Sequence, residues 1–141
     1  MSTRSLDVWG WIFAIFGAAC LGNALWMLAD PLRWYHELPA AVPDTGPFNP
    51  HFVRDIGGAF LAVGVALVWA ALAPHWRPPL LAIAAVFLGA HALVHVFDVL
   101  RGALGPAHWW SDAPGVYLPA AVIGYAAVAS RDREPAPRGG S

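Results

Sequence analysis

From Leu80 to Leu100 the chain reads LLAIAAVFLGAHALVHVFDVL, an apolar run interrupted only by His91, His95 and Asp98. A bilayer core of about 30 Å is crossed by about 20 apolar residues in a helix, so this run is long enough to span. Ionisable groups inside such a run cost several kcal/mol unless they are paired, ligated or wetted. They are therefore the first place to look for function.

Three further runs have the same character. With the first they predict helical spans at about residues 8–29, 52–73, 80–100 and 116–130. Asp30-Pro31, Pro74, Pro78-Pro79 and Pro114 punctuate their ends, because proline cannot extend a helix inward from its C-terminus. Pro119 lies in the first turn of the last span, where its missing N–H is tolerated. The 141 residues are 58% hydrophobic and 12% charged, where a soluble domain carries about 25% charged residues. The expected fold is all-α: a polytopic membrane protein, a four-transmembrane-helix bundle over residues 1–130, followed by a disordered cytoplasmic tail over 131–141. The first run is too long for a signal-peptide core, is preceded by Asp7 and has no small-residue cleavage site after it, so it reads as an anchor.

Charge and cysteine content exclude some classes. A net charge of −1, with eight scattered Arg and no Lys, offers no basic stripe for a phosphate backbone, so no nucleic-acid partner is expected. Cys20 alone can form neither an internal disulfide nor a CxxC site, and reads as a small buried residue. The arginines also set orientation. Arg4, Arg77, Arg131, Arg133 and Arg138 fall on one side, and Arg33, Arg54 and Arg101 on the other, which predicts N-in/C-in. The two longer loops then face outward, and the expected location is multi-pass in a bacterial inner membrane.

The helical rise places Asp98, His95 and His91 roughly 5, 9 and 15 Å below an outer interface marked by Arg101. On the second span His51 sits at that interface, with Arg54 and Asp55 roughly 5–6 Å deep, level with Asp98. Asn23, Tyr117 and Tyr125 bracket the same zone. At 100° per residue, His91, His95 and Asp98 share a narrow stripe, and His51 and Asp55 share another. The two stripes are expected to face one another inside the bundle, lining a polar cavity in its outer half.

Such a cavity suits a metal. His91 and His95, at i, i+4, have the one-face spacing of zinc helices without the intervening Glu. Two His and a carboxylate with open positions hold iron, zinc or copper. The candidate ligands are His51, His91, His95 and Asp98 or Asp55, with Arg54 orienting a carboxylate or an anionic substrate group and Asp55 acting beside it. Haem is a weaker version, since no His faces His91, and di-iron carboxylate chemistry lacks its Glu ligands. The absence of a sulfur ligand set argues against a Cu(I) carrier. A structural alternative has Arg54 neutralising Asp98 or Asp55, and His91 bonded to Asn23 or Tyr125.

Two outer stretches, from Asp30 to Pro39 and from His108 to Asp112, are rich in Trp, His and acids. An interfacial aromatic belt accounts for most of this. The alternative is a lid with His36 or His108 as an extra ligand or proton carrier, while His75 and Trp76 anchor a short turn on the other side. Gly57, Gly58 and Gly64 on the second span, with Gly17 and Gly22 on the first, predict close helix packing.

The run FNPHFVRDIGGAFL, from Phe48 to Leu61, resembles the small four-helix bacterial membrane proteins loosely grouped with DoxX-like proteins. The resemblance implies the four-span layout and a link to quinone-coupled redox chemistry. His51 and the His91/His95/Asp98 stripe depart from that pattern. The expected function is a small membrane metalloprotein, a redox enzyme acting on an apolar, membrane-dissolved substrate. The alternative is a non-enzymatic ligand-binding or accessory subunit, binding a quinone or similar small molecule. Expected partners are the lipid bilayer, such a molecule, and a second copy or another membrane subunit.

Overall fold

A computed structural model of the chain describes residues 5–131. Helix α1, Val8–Ala29, begins at Asp7, whose carboxylate accepts the Gly10 N–H at 2.7 Å. It ends at Asp30, which caps the next helix, α2 (Pro31–Glu37), by accepting the Arg33 N–H. An Asp cap followed by Pro at the first helical position is a helix-start signature, so the loop expected here carries a helix of its own. A 3-10 turn, Val42–Thr45, leads to α3, Pro50–Leu72, whose Asn49 cap accepts from the His51 and Phe52 N–H groups.

A second 3-10 turn, Pro74–Trp76, joins α3 to α4, Arg77–Leu100. Pro78 and Pro79 lie inside the first turn of α4 rather than before it, where no N–H is needed. The loop after α4 holds a four-residue helix α5, His108–Ser111, then a π turn, Ala113–Tyr117, that runs into α6, Leu118–Arg131. The tail expected from Arg131 onward lies, Arg131 apart, outside the described residues.

Helix α1 packs along α3, α3 along α4, and α4 along α6. Phe13, Met27, Leu67, Leu81, Leu88 and Ile123 form the centre of the core. The tightest contact is glycine-mediated: a Cβ on Gly17 would meet the Val68 backbone N at 3.0 Å, and one on Gly64 would meet the Leu21 N at 3.0 Å. Gly57 is likewise close to Met27, whereas Gly22 and Gly58 have nothing within 4 Å and do not mediate packing.

Four helical segments, Val8–Ala29, Pro50–Leu72, Pro74–Leu100 and Ala113–Arg131, are long and apolar enough to cross a membrane. Their outward faces carry Trp11, Ile15, Val65, Ile83, Val86 and Leu93, all exposed. Such faces are unfavourable in water and natural in lipid. One end of the bundle holds α2, α5 and the longer loops. The other holds Asp7 and the α3–α4 turn.

Candidate functional site: a histidine and aspartate network at the loop-rich end

On α4 the buried positions Leu81, Ala84 and Leu88 set a stripe that continues through His91 to His95. The two imidazoles meet edge to face, with centroids 4.8 Å apart. The His91 ring stacks on Phe87 and meets Phe60 of α3 edge-on at 5.5 Å, an apolar setting rather than the expected contact with Asn23 or Tyr125. Asn23 instead accepts the Trp34 indole N–H at 2.8 Å, tying α1 to α2. Tyr125 is exposed and packs against Trp9.

His95 points to the far loop. Its Nδ1 lies 2.8 Å from a carboxylate oxygen of Asp112, a residue only 1% exposed. Asp112 is held at the end of α5, where its N–H donates to the His108 carbonyl and the Ser111 hydroxyl donates to its carboxylate. One turn back, the buried His108 brings Nδ1 to 3.1 and 3.2 Å from the same carboxylate. The His108 Nε2 lies 3.4 Å from the exposed Asp44. The result is a continuous polar series, Asp44, His108, Asp112, His95, with His91 beyond it.

Donor and acceptor capacity constrains the protons. An ionised carboxylate only accepts, so both Nδ1 atoms that face Asp112 must carry hydrogens. His95 then keeps a lone pair on Nε2. For His108 to donate to Asp112 and Asp44 together it must hold a proton on both nitrogens. With Asp112 as the shared acceptor, the series links the exposed Asp44 to the His95 ring through two buried side chains. Near it, on the π turn five residues after Asp112, the Tyr117 hydroxyl is buried and has no hydrogen-bond partner among the described residues.

The remaining candidates lie elsewhere. Asp98 accepts from Arg101 Nε at 2.7 Å, so it does not pair with Arg54. Arg54 is exposed, with its Nε 3.4 Å from the Leu28 carbonyl. His51 and Asp55 pair with each other at 3.4 Å on an exposed face. The reason is the stripe that α3 buries, Val53, Gly57, Phe60, Gly64 and Leu67. At 100° per residue His51 and Asp55 stand about 160° from Val53, so they turn away from the bundle interior and the two expected stripes do not face. His36 is exposed beside Tyr35. Among the described residues no group of three or more His, Cys, Asp or Glu is arranged to hold a metal ion. In the sequence Asp112 stands only as the end of an aromatic stretch. Its i, i+4 spacing from His108 was the available signal.

The fold and site define an all-α protein with four membrane-length helices and a buried His/Asp network at one end. Residues 8–111 match the family described as Domain of unknown function (DUF4345), and the chain belongs to that family. The match takes in Asp44, His91, His95 and His108 and ends one residue before Asp112. No curated protein and no solved structure matches the chain.

Proposed function

We propose that the protein is a small multi-pass membrane protein that binds an apolar, membrane-dissolved molecule and exchanges a proton with it at His95. The single observation that carries this reading is the series from exposed Asp44 through buried His108 and Asp112 to His95. A network serving only to fix the loop on α4 would be complete with Asp112 and His95. Its extension to Asp44 joins the buried ring to the aqueous surface, which a proton-exchanging site needs and a structural clamp does not. The chemistry suits a quinone-like molecule, whose ring oxygens take up protons on reduction and whose tail prefers lipid. This is a binding or accessory role beside a redox partner, which the DoxX-like resemblance also favours.

The test is to isolate the protein in lipid nanodiscs from its native membrane and identify enriched apolar molecules by mass spectrometry. Wild type should hold one in near-stoichiometric amount, and Asp112→Asn should hold it with an altered pH dependence of affinity. No enriched molecule in wild type would end the reading.

A metal-dependent oxidoreductase is the second reading, with iron, copper or zinc on His91 and His95. In its favour, Asp112 stands behind His95 as the carboxylate that commonly orients a metal-bound imidazole. His51, Asp55, Asp98 and Arg54 would have to reorient to join such a site. Elemental analysis of wild type and His95→Ala, with an absorption spectrum for haem, separates the two readings.

The orientation belongs to the same proposal: N-in/C-in in a bacterial inner membrane, on the arginine distribution. Cysteines at positions 45 and 75 in a Cys20→Ala background should label from outside and inside respectively.

A further inference from the structure

At the end of the bundle opposite the His/Asp network, α1 and α6 are not packed along their lengths, and their main link is the Trp9 to Tyr125 ring contact at 6.1 Å. A crevice of about 270 Å³ lies there, bordered by Trp9, Phe13, Arg77, Leu81, Ala126 and Ser130. Its inner wall is apolar and its rim is polar. Helices α1, α4 and α6 all have an end at this level, so the rim sits at the depth of lipid head groups in a membrane-spanning bundle.

Among the described residues Arg77 and His75 stand on the rim, and Asp7 lies beside it, bonded to Arg77. Arg77 donates from Nη1 and Nη2 to the two carboxylate oxygens of Asp7 at 2.7 and 2.6 Å, and from Nε to the Ala70 carbonyl at 3.1 Å. Its guanidinium also lies over the Phe13 ring. Three of about five N–H donors are used, leaving one hydrogen on each Nη. Asp7 keeps an exposed side, with 55% of its side chain accessible. The pair is neutral as a whole, so it has no net attraction for an anion. It offers a donor and an acceptor side by side, the complement of a head group bearing phosphate and ammonium.

We infer that this crevice binds a zwitterionic phospholipid with a primary ammonium: the phosphate on Arg77, the ammonium on Asp7, and an acyl chain along Phe13 and Leu81 between α1 and α6. Pockets between transmembrane helices at a membrane face commonly hold lipid head groups through basic residues. Here the paired carboxylate changes the selectivity from anionic to zwitterionic. The indole of Trp9 adds an interfacial N–H. The inference is independent of the proton-exchange reading.

The experiment is native mass spectrometry of the full chain in detergent with equimolar phosphatidylethanolamine, phosphatidylcholine and phosphatidylglycerol. Wild type should retain phosphatidylethanolamine over both others by about tenfold, the effect of one charge-assisted hydrogen bond. Asp7→Asn keeps the helix cap but removes the negative charge, and should transfer the preference to phosphatidylglycerol. Ala129→Phe, which fills the crevice and leaves the Asp7–Arg77 pair intact, should abolish selective retention while the far-ultraviolet spectrum stays unchanged. A wild-type preference for phosphatidylglycerol, equal retention of the three lipids, or selectivity that survives Ala129→Phe would each overturn the proposal.

Discussion

His95 of α4 and Asp112 of the loop before α6 are joined across 17 residues of sequence by a 2.8 Å contact that involves a carboxylate almost wholly removed from solvent. Because the same carboxylate receives His108, Asp112 is the one group whose loss breaks both arms of the network. It therefore ties the far loop to α4 and fixes which nitrogen of His95 is free.

Asp112→Ala should be the most destabilising single change in the network, by roughly 3–5 kcal/mol, since it removes the partner of the buried His108 ring and of the partly buried His95 ring. His95→Ala breaks one bond to a charged group and should cost about 1.5–3 kcal/mol. Asp112→Asn, which can accept from one ring but not from both with a charge, should fall between. Denaturant unfolding in detergent gives the order. Equal losses for Asp112→Ala and His95→Ala would mean that the His108 arm contributes nothing.

Arg54→Leu and Asp98→Leu should act independently. They have different partners: the Leu28 carbonyl for Arg54, and Arg101, the residue that caps the C-terminus of α4, for Asp98. The double variant should equal the sum of the singles within about 0.5 kcal/mol. The Asp98–Arg101 pair itself should be worth only about 0.3–0.5 kcal/mol, as exposed pairs on one helix are. Rescue of Arg54→Leu by Asp98→Leu would restore the cross-bundle pair expected from depth alone.

The four long apolar helices are legible in the sequence because about 20 consecutive apolar residues carry a signal that no local competition reverses. Helix α1 runs Val8–Ala29 as expected, and α3 and α4 start only a turn or less earlier than their apolar runs. His91 and His95 were legible as one face for the same periodic reason. The buried face of α3 is not legible in the same way. Depth put His51 and Asp55 level with the α4 stripe, but the azimuth follows from Gly57 and Gly64 meeting α1 and from Phe60 meeting α4. Asp112 was hidden by a different cause. Its partner lies on another helix, and the four-residue α5 that aims it has no periodicity to read.

Glycines on α1 and α3 should divide sharply on substitution by Ala. Gly17→Ala and Gly64→Ala drive a methyl into backbone atoms of the facing helix at 3.0 Å and should cost about 1–3 kcal/mol. Gly22→Ala and Gly58→Ala meet nothing within 4 Å and should be neutral or stabilise by up to about 1 kcal/mol, through the better helix propensity of Ala. Thermal unfolding of the four variants reads out the division. A cost at Gly58 equal to that at Gly64 would move the α1–α3 contact to the other face.

The Asp7–Arg77 pair makes a prediction for acid. The Arg77 guanidinium bonded to it, helped by the Gly10 N–H, holds the Asp7 carboxyl down at about 2, against an ordinary value of 3.8, while partial burial opposes the shift. A carboxyl whose folded value is lowered contributes stability that is fully present above its unfolded value and is lost as pH falls through the folded one. Wild type should therefore exceed Asp7→Asn in melting temperature by a constant margin above about pH 4, and the margin should shrink to nothing towards about pH 2. Asn keeps the capping acceptor, so the difference isolates the charge. More than half of the Asp7 side chain is accessible, which limits the margin to the range of a solvent-screened pair, under about 1 kcal/mol. A margin that stays constant from pH 5 to pH 2 would show that the pair is not made in the folded protein, and would remove the donor and acceptor on which the lipid crevice depends.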